Sequence, residues 1–179
     1  CDAIASSLRR LRWRCSAPPR PWTTTDSEPT STGLPARTPS RVAEPERPPR
    51  GLLDTSVVID LERVDPSKLP IEVAVSALTM AELAAGPHAA SDADERGRRQ
   101  DRLQRAEAAF DPLPFDGEAA RAYGRIYAAV TASGRKARGA RAVDLLIAAT
   151  ACAAGMPLYT RNGADFEGLD GLVDVVVMA

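Results

Sequence analysis

From residue 51 onward, short apolar and β-branched runs alternate with segments long enough to be helices. A chain with that rhythm builds parallel strands joined by crossover helices. The segments expected as strands are 51–54, 71–75, 113–115, 158–160 and 173–177. Those expected as helices are 55–62, 79–85, 92–109, 117–133 and 142–154. Ala119, Tyr123, Ile126, Tyr127 and Val130 recur at helical spacing, and Gly134 closes that helix. The helix over 142–154 is apolar nearly all round (Leu145, Leu146, Ile147, Ala148, Ala149, Ala151), which suits burial against a sheet. The expected fold is therefore α/β, three layers deep (α/β/α), around a central, mainly parallel sheet.

Residues 1–50 follow different rules. They hold nine of the fifteen prolines and both tryptophans. Proline at that density propagates neither a helix nor a central strand, so a disordered tail is expected there. The first residue is Cys1, not Met, and the tail reads as a piece of a longer chain or as sequence upstream of the true start. The charge splits at the same boundary. Residues 1–50 carry nine Arg against five acids, +4, and residues 51–179 carry fourteen Lys and Arg against nineteen acids, −5. An acidic domain exerts no long-range pull on nucleic acid, so any such binding needs a local basic patch or a bound cation.

Three cysteines without CxxC spacing give neither a zinc site nor a disulfide framework. No apolar stretch reaches the length of a membrane span, so the expected location is the cytoplasm. His88, the only histidine, follows Gly86–Pro87 at a helix end and has no Ser or Cys partner in a recognisable motif. A catalytic triad is thereby disfavoured, and the lack of a GxxxxGK[ST] loop disfavours nucleotide hydrolysis.

Most acids sit in charged runs that need no special account, but four do not. Asp54 closes the first apolar strand, Glu82 lies between apolar residues of a helix, Asp144 opens the most apolar helix, and Asp165 follows the strand at 158–160. Each has an ordinary explanation: a helix cap for Asp54, a capping box Thr79–x–x–Glu82, the helix dipole for Asp144, an Asx turn for Asn162 and Asp165. As a set they point elsewhere. In an open α/β sheet the ligand crevice lies at the carboxyl ends of the strands, where all four can converge. Carboxylates about 4 Å apart repel by roughly 4 kcal/mol at an effective dielectric near 20. Such a cluster raises its own pKa values or recruits a cation. Oxygen ligands without His or Cys suit Mg²⁺ or Mn²⁺.

Four segments together carry a resemblance: Leu53–Asp54–Thr55–Ser56, Ser76–Ala77–Leu78–Thr79–Met80–Ala81–Glu82–Leu83, Asp144–Leu145–Leu146–Ile147–Ala148–Ala149, and Thr160–Arg161–Asn162–Gly163–Ala164–Asp165–Phe166. In order and spacing they resemble the PIN-domain family, and within it the VapC-type toxins of bacterial toxin–antitoxin pairs. The resemblance spans nearly all of residues 51–179. It implies an endoribonuclease that hydrolyses RNA with Mg²⁺ or Mn²⁺, leaving a 5′-phosphate and a 3′-hydroxyl. It also implies a homodimer and a cognate antitoxin that occupies the active site. It assigns Asp54, Glu82, Asp144 and Asp165 as catalytic, metal-binding acids, with Thr55, Ser56 and Asn162 in support. Arg135, Lys136, Arg138 and Arg141, just before Asp144, are candidate contacts to the RNA backbone. Two rivals stand beside this reading. An aspartyl-phosphate phosphatase also opens with a strand ending in Asp, but generally wants a second acid two residues on, where this chain has Ser56. A catalytically inactive PIN-like binding module would not need all four acids.

Overall fold

The computed structural model describes residues 47–178. Of the tail expected over residues 1–50, residues 1–46 lie outside the described residues. The order of elements is β1 (Arg50–Leu53), α1 (Thr55–Ile59), β2 (Glu72–Val75), α2 (Ala77–Ala85), α3 (Ala93–Ala109), α4 (Gly117–Ala132), α5 (Ala140–Ala154), β3 (Leu158–Thr160) and β4 (Val175–Val177). The four strands form one parallel sheet in the order β2-β1-β3-β4.

Side chains alternate across a strand, and here the alternation sorts the core into two halves. Leu52 and Leu158 face α4 and α5, where they pack with Ala122, Ile126, Val130, Leu145 and Ile147. Leu53, Val75 and Tyr159 face the opposite way, onto Val57 and Val58 of α1, Leu83 of α2, and Leu103 and Ala106 of α3. Each fully buried aliphatic side chain contributes about 1.5–3 kcal/mol over leaving it exposed. A sheet covered on both faces in this way is the expected three-layer arrangement. Gly51 has a specific reason to be glycine. A Cβ there would lie 2.5 Å from Cε2 of Tyr159 and 2.9 Å from Cγ of Pro70.

Several expected elements differ in extent. The second helix starts two residues early, at Ala77, and the last strand two residues late, at Val175. The segment 113–115 is no strand. Leu113 makes a single parallel bridge to Ser76, its N–H donating to the Val75 carbonyl at 2.9 Å. Pro112 and Pro114 flank it and have no N–H with which to extend the ladder. The first helix stops at Ile59 instead of residue 62, and a 3₁₀ turn, Leu61–Arg63, takes over. Pro66 holds Asp65 extended (φ −63°, ψ 118°), so the chain must leave the helix before it. The last helix starts at Ala140, two residues before the expected start.

Connectivity places the crevice. The first crossover carries the chain from β1 to β2 on one side, and the chain then returns past β1 to β3 on the other. The strand order thus reverses between β1 and β3, and the carboxyl ends of these two strands flank the opening. Among the described residues no helix is long and apolar enough to cross a membrane.

Candidate active site

Asp54 is the first residue after β1 and is only 4 % exposed. It occupies the N-cap position of α1, yet its side chain makes no capping hydrogen bond. Its Oδ2 instead accepts from the hydroxyl of Ser56 at 2.6 Å and from that of Thr160, at the end of β3, at 2.9 Å. Buried carboxylates need such donors, because a charge left without partners in a dry site costs several kcal/mol. The N–H of Arg161 in turn donates to Ser56 Oγ at 3.1 Å, and the N–H of Asn162 to Thr160 Oγ1 at 3.0 Å. The ends of β1 and β3 are therefore tied together through one carboxylate.

The other ordinary explanations also give way. Ser76, not Thr79, caps α2, its Oγ accepting from the Thr79 N–H at 2.9 Å. Glu82 lies past the first turn of that helix and takes no part in a capping box. It accepts instead from the Thr55 hydroxyl, at 2.5 Å on Oε2. Because α5 starts at Ala140, Asp144 also lies beyond the first turn, where the dipole is weak. Asn162 heads the 3₁₀ turn Gly163–Phe166 without a side-chain cap, and its amide donates to Asp165 Oδ2.

Burial pushes the Asp144 carboxyl up to about 7, with further upward contributions from the charges of Asp54, Asp165 and Glu82, and Arg141 pulling it back. The field at one half-buried acid thus gathers carboxylates from the end of β1, from α2 and from the turn after β3. Asp54, Glu82 and Asp165 are each held by a hydroxyl or amide, and Asp144 has no such donor among the described residues. The four do not close into a cage. Among the described residues no group of three His, Cys, Asp or Glu side chains is placed to hold a metal ion as it stands. The donor set still suits a hard divalent cation, since it offers oxygens alone and repulsion that a cation would relieve.

The basic run divides into two pairs. Arg141 donates to the Ala164 carbonyl at 2.8 Å and approaches Asp165 at 3.9 Å. Arg135 donates to the same carbonyl at 2.9 Å and pairs with Glu167 at 2.5 Å. Both anchor the turn that carries Asp165. Lys136 and Arg138 remain exposed. Sequence reasoning missed the role of Thr160. No local signal marked it, because Thr160 reaches Asp54 only through the pairing of β3 beside β1.

A family profile described as PIN domain matches residues 51–172. Ribonuclease VapC5 of Mycobacterium tuberculosis is 37 % identical over 134 residues, which cover 73 % of this chain and 96 % of that protein. Ribonuclease VapC8 of the same species is 40 % identical over 102 residues, or 56 % of this chain and 89 % of that protein. The crystal structure of VapBC-5, a member of the VapBC family of toxin–antitoxin systems from M. tuberculosis, superposes with a TM-score of 0.63 at 37 % identity. That match covers 73 % of this chain and 98 % of that one.

Proposed function

The chain belongs to the PIN-domain family, among its VapC-type members, and on that premise we propose that it is the ribonuclease toxin of a toxin–antitoxin pair, hydrolysing RNA phosphodiester bonds with Mg²⁺ or Mn²⁺. The observation that carries the proposal is the charge environment of Asp144, shaped by three acids from three other segments. Asp54, Glu82, Asp144 and Asp165 would hold the cation. When bound, it supplies an acidified water and neutralises charge on the phosphate.

The remaining contributions come from the chain itself. Ser56 and Thr160 both donate to Oδ2 of Asp54, which fixes the plane of the carboxylate and leaves Oδ1 for a ligand. Thr55 holds Glu82, and Asn162 holds Asp165, each in one orientation. Arg135 and Arg141 set the height of the turn at 163–166 through the Ala164 carbonyl. Supporting groups that lock ligand orientation in this way commonly govern metal affinity by 10- to 100-fold. A cognate antitoxin, a homodimer and a cytoplasmic location belong to the same proposal. The first rests on the VapBC complex that the chain resembles.

The test is incubation of the purified chain with total RNA, with Mg²⁺ or with a chelator, followed by mapping of the cut ends. Cleavage that needs the metal and vanishes in Asp144→Asn is the expected result. Cleavage untouched by chelation, or hydrolysis of a small phosphate ester in preference to RNA, would overturn the reading.

A further inference from the structure

One side of the opening is a wall that none of the roles above employs. A cleft of about 480 Å³ is lined by Thr55, Ile59 and Glu82 and, from α3, by Glu95, Arg98, Arg99 and Arg102. In sequence, α3 reads as a solvated helix with one narrow apolar stripe, and most of its charges are accounted for that way. Arg105 pairs with Glu62 at 2.6 Å. Arg99 pairs with Glu95 and donates to the Gly86 carbonyl at 2.9 Å. Arg98 and Arg102 line the cleft and, like Arg96 outside it, have no hydrogen-bond or ion-pair partner among the described residues. They lie four positions apart, so they are neighbours on one helix face with Cβ atoms about 5–6 Å apart. Two uncompensated guanidinium groups in a concavity of an acidic domain form a local reversal of sign.

We propose that Arg98 and Arg102 bind consecutive backbone phosphates of the RNA strand beside the scissile bond, a subsite that rests on the ribonuclease reading. The cleft continues from Glu82, so a strand whose reacting phosphate meets the acids has its neighbouring nucleotides over α3. The guanidinium fork suits phosphate oxygens, two at a time. Ile59, 42 % exposed, gives the cleft an apolar surface for a ribose or base. A nucleotide presents both kinds of surface in regular succession, a phosphate for each guanidinium and a ribose or base for Ile59.

The experiment measures binding of a short fluorescent oligouridylate to the full chain in an Asp54→Asn background, across a series of salt concentrations. Adding Arg98→Ala and Arg102→Ala together weakens binding about 10- to 100-fold at low salt and flattens the slope of log affinity against log salt by about 1.4, or 0.7 for each lost contact. Lysine at both positions restores most of the slope. Arg121→Ala, in an ion pair on α4 away from the cleft, leaves it unchanged. With Asp54 restored, the double alanine variant raises KM and leaves kcat within about twofold. An unaltered slope, or a loss confined to polyglutamate binding, would overturn the subsite. Should Asp54→Asn cleave like the parent chain, the catalytic assignment falls, and the salt slope still decides the role of Arg98 and Arg102.

Discussion

Two hydroxyls, on Ser56 and Thr160, donate to the same oxygen of Asp54, although 104 positions of chain separate them. That arrangement makes Asp54 an oriented carboxylate in a nearly dry setting, not a helix cap. Replacing Asp54 by Asn keeps the shape and removes the charge, and cleavage should drop by about 10²–10³-fold with the fold intact by circular dichroism. Thr160→Val is the finer probe because it removes only a hydroxyl. Calorimetric affinity for Mn²⁺ should weaken about 10-fold, and cleavage should recover at saturating metal. Wild-type metal dependence in Thr160→Val would show that the hydroxyl merely fills a buried space. Asp54 was legible from its place at the end of an apolar run. Thr160 was not, because its function exists only once β3 pairs beside β1.

At the level of elements, the turn Gly163–Phe166 shows how a short segment is made accurate. It carries Asp165 and is held from the side by Arg135 and Arg141 through one carbonyl. Beneath it, a Cβ on Gly163 would lie 2.6 Å from Cγ2 of Val177 on β4. Gly163→Ala must therefore move Val177, by a rotamer change or a shift of the edge strand, or else the turn itself, at a cost of about 1 kcal/mol. A lower Tm together with a fall in kcat larger than the change in KM is expected. A drop in stability with unaltered kinetics would place the displacement in β4 alone. Strands 51–54 and 158–160 and the four large helices were readable because period and punctuation agree locally. The segment at 113–115 failed that test, as the prolines on either side of Leu113 leave it one bridge, to Ser76 just past β2. The two roles of the basic run were illegible for a related reason. Nothing local distinguishes Arg135 and Arg141, which anchor the turn, from Lys136 and Arg138, which stay exposed. Nor does the sequence of α3 separate Arg98 and Arg102 from Arg99, which pairs with Glu95 and bonds to the Gly86 carbonyl, or from Arg105, whose partner lies in the 3₁₀ turn after α1.

For the molecule as a whole, an ionised Asp144 opposes folding, first through its burial and then through the neighbouring acids, and the opposition depends on pH. Asp144 binds its proton more tightly in the folded chain, at about 7, than at its ordinary value of 3.8. Between those values the folded chain keeps a proton that the unfolded chain has released. Stability therefore declines as pH rises through that window, is undiminished below it, and carries the full penalty above it. Asp144→Asn removes the charge that is penalised. It should unfold at the same denaturant concentration as the wild type near the acid end of the window, and be more stable above it. The side chain is only part-buried, and solvent screens the penalty, so a gain of about 1 kcal/mol is expected rather than the several that a dry site would give. Mn²⁺ acts in the opposite direction on the wild type. By binding the ionised cluster it should raise Tm as concentration exceeds Kd, and Asp144→Asn should respond less. Denaturation curves at several pH values, with and without Mn²⁺, read both effects in one series. Parallel pH dependence in the two proteins would mean that Asp144 is not the group that holds the extra proton, and an equal response of both to Mn²⁺ would remove Asp144 from the cation site.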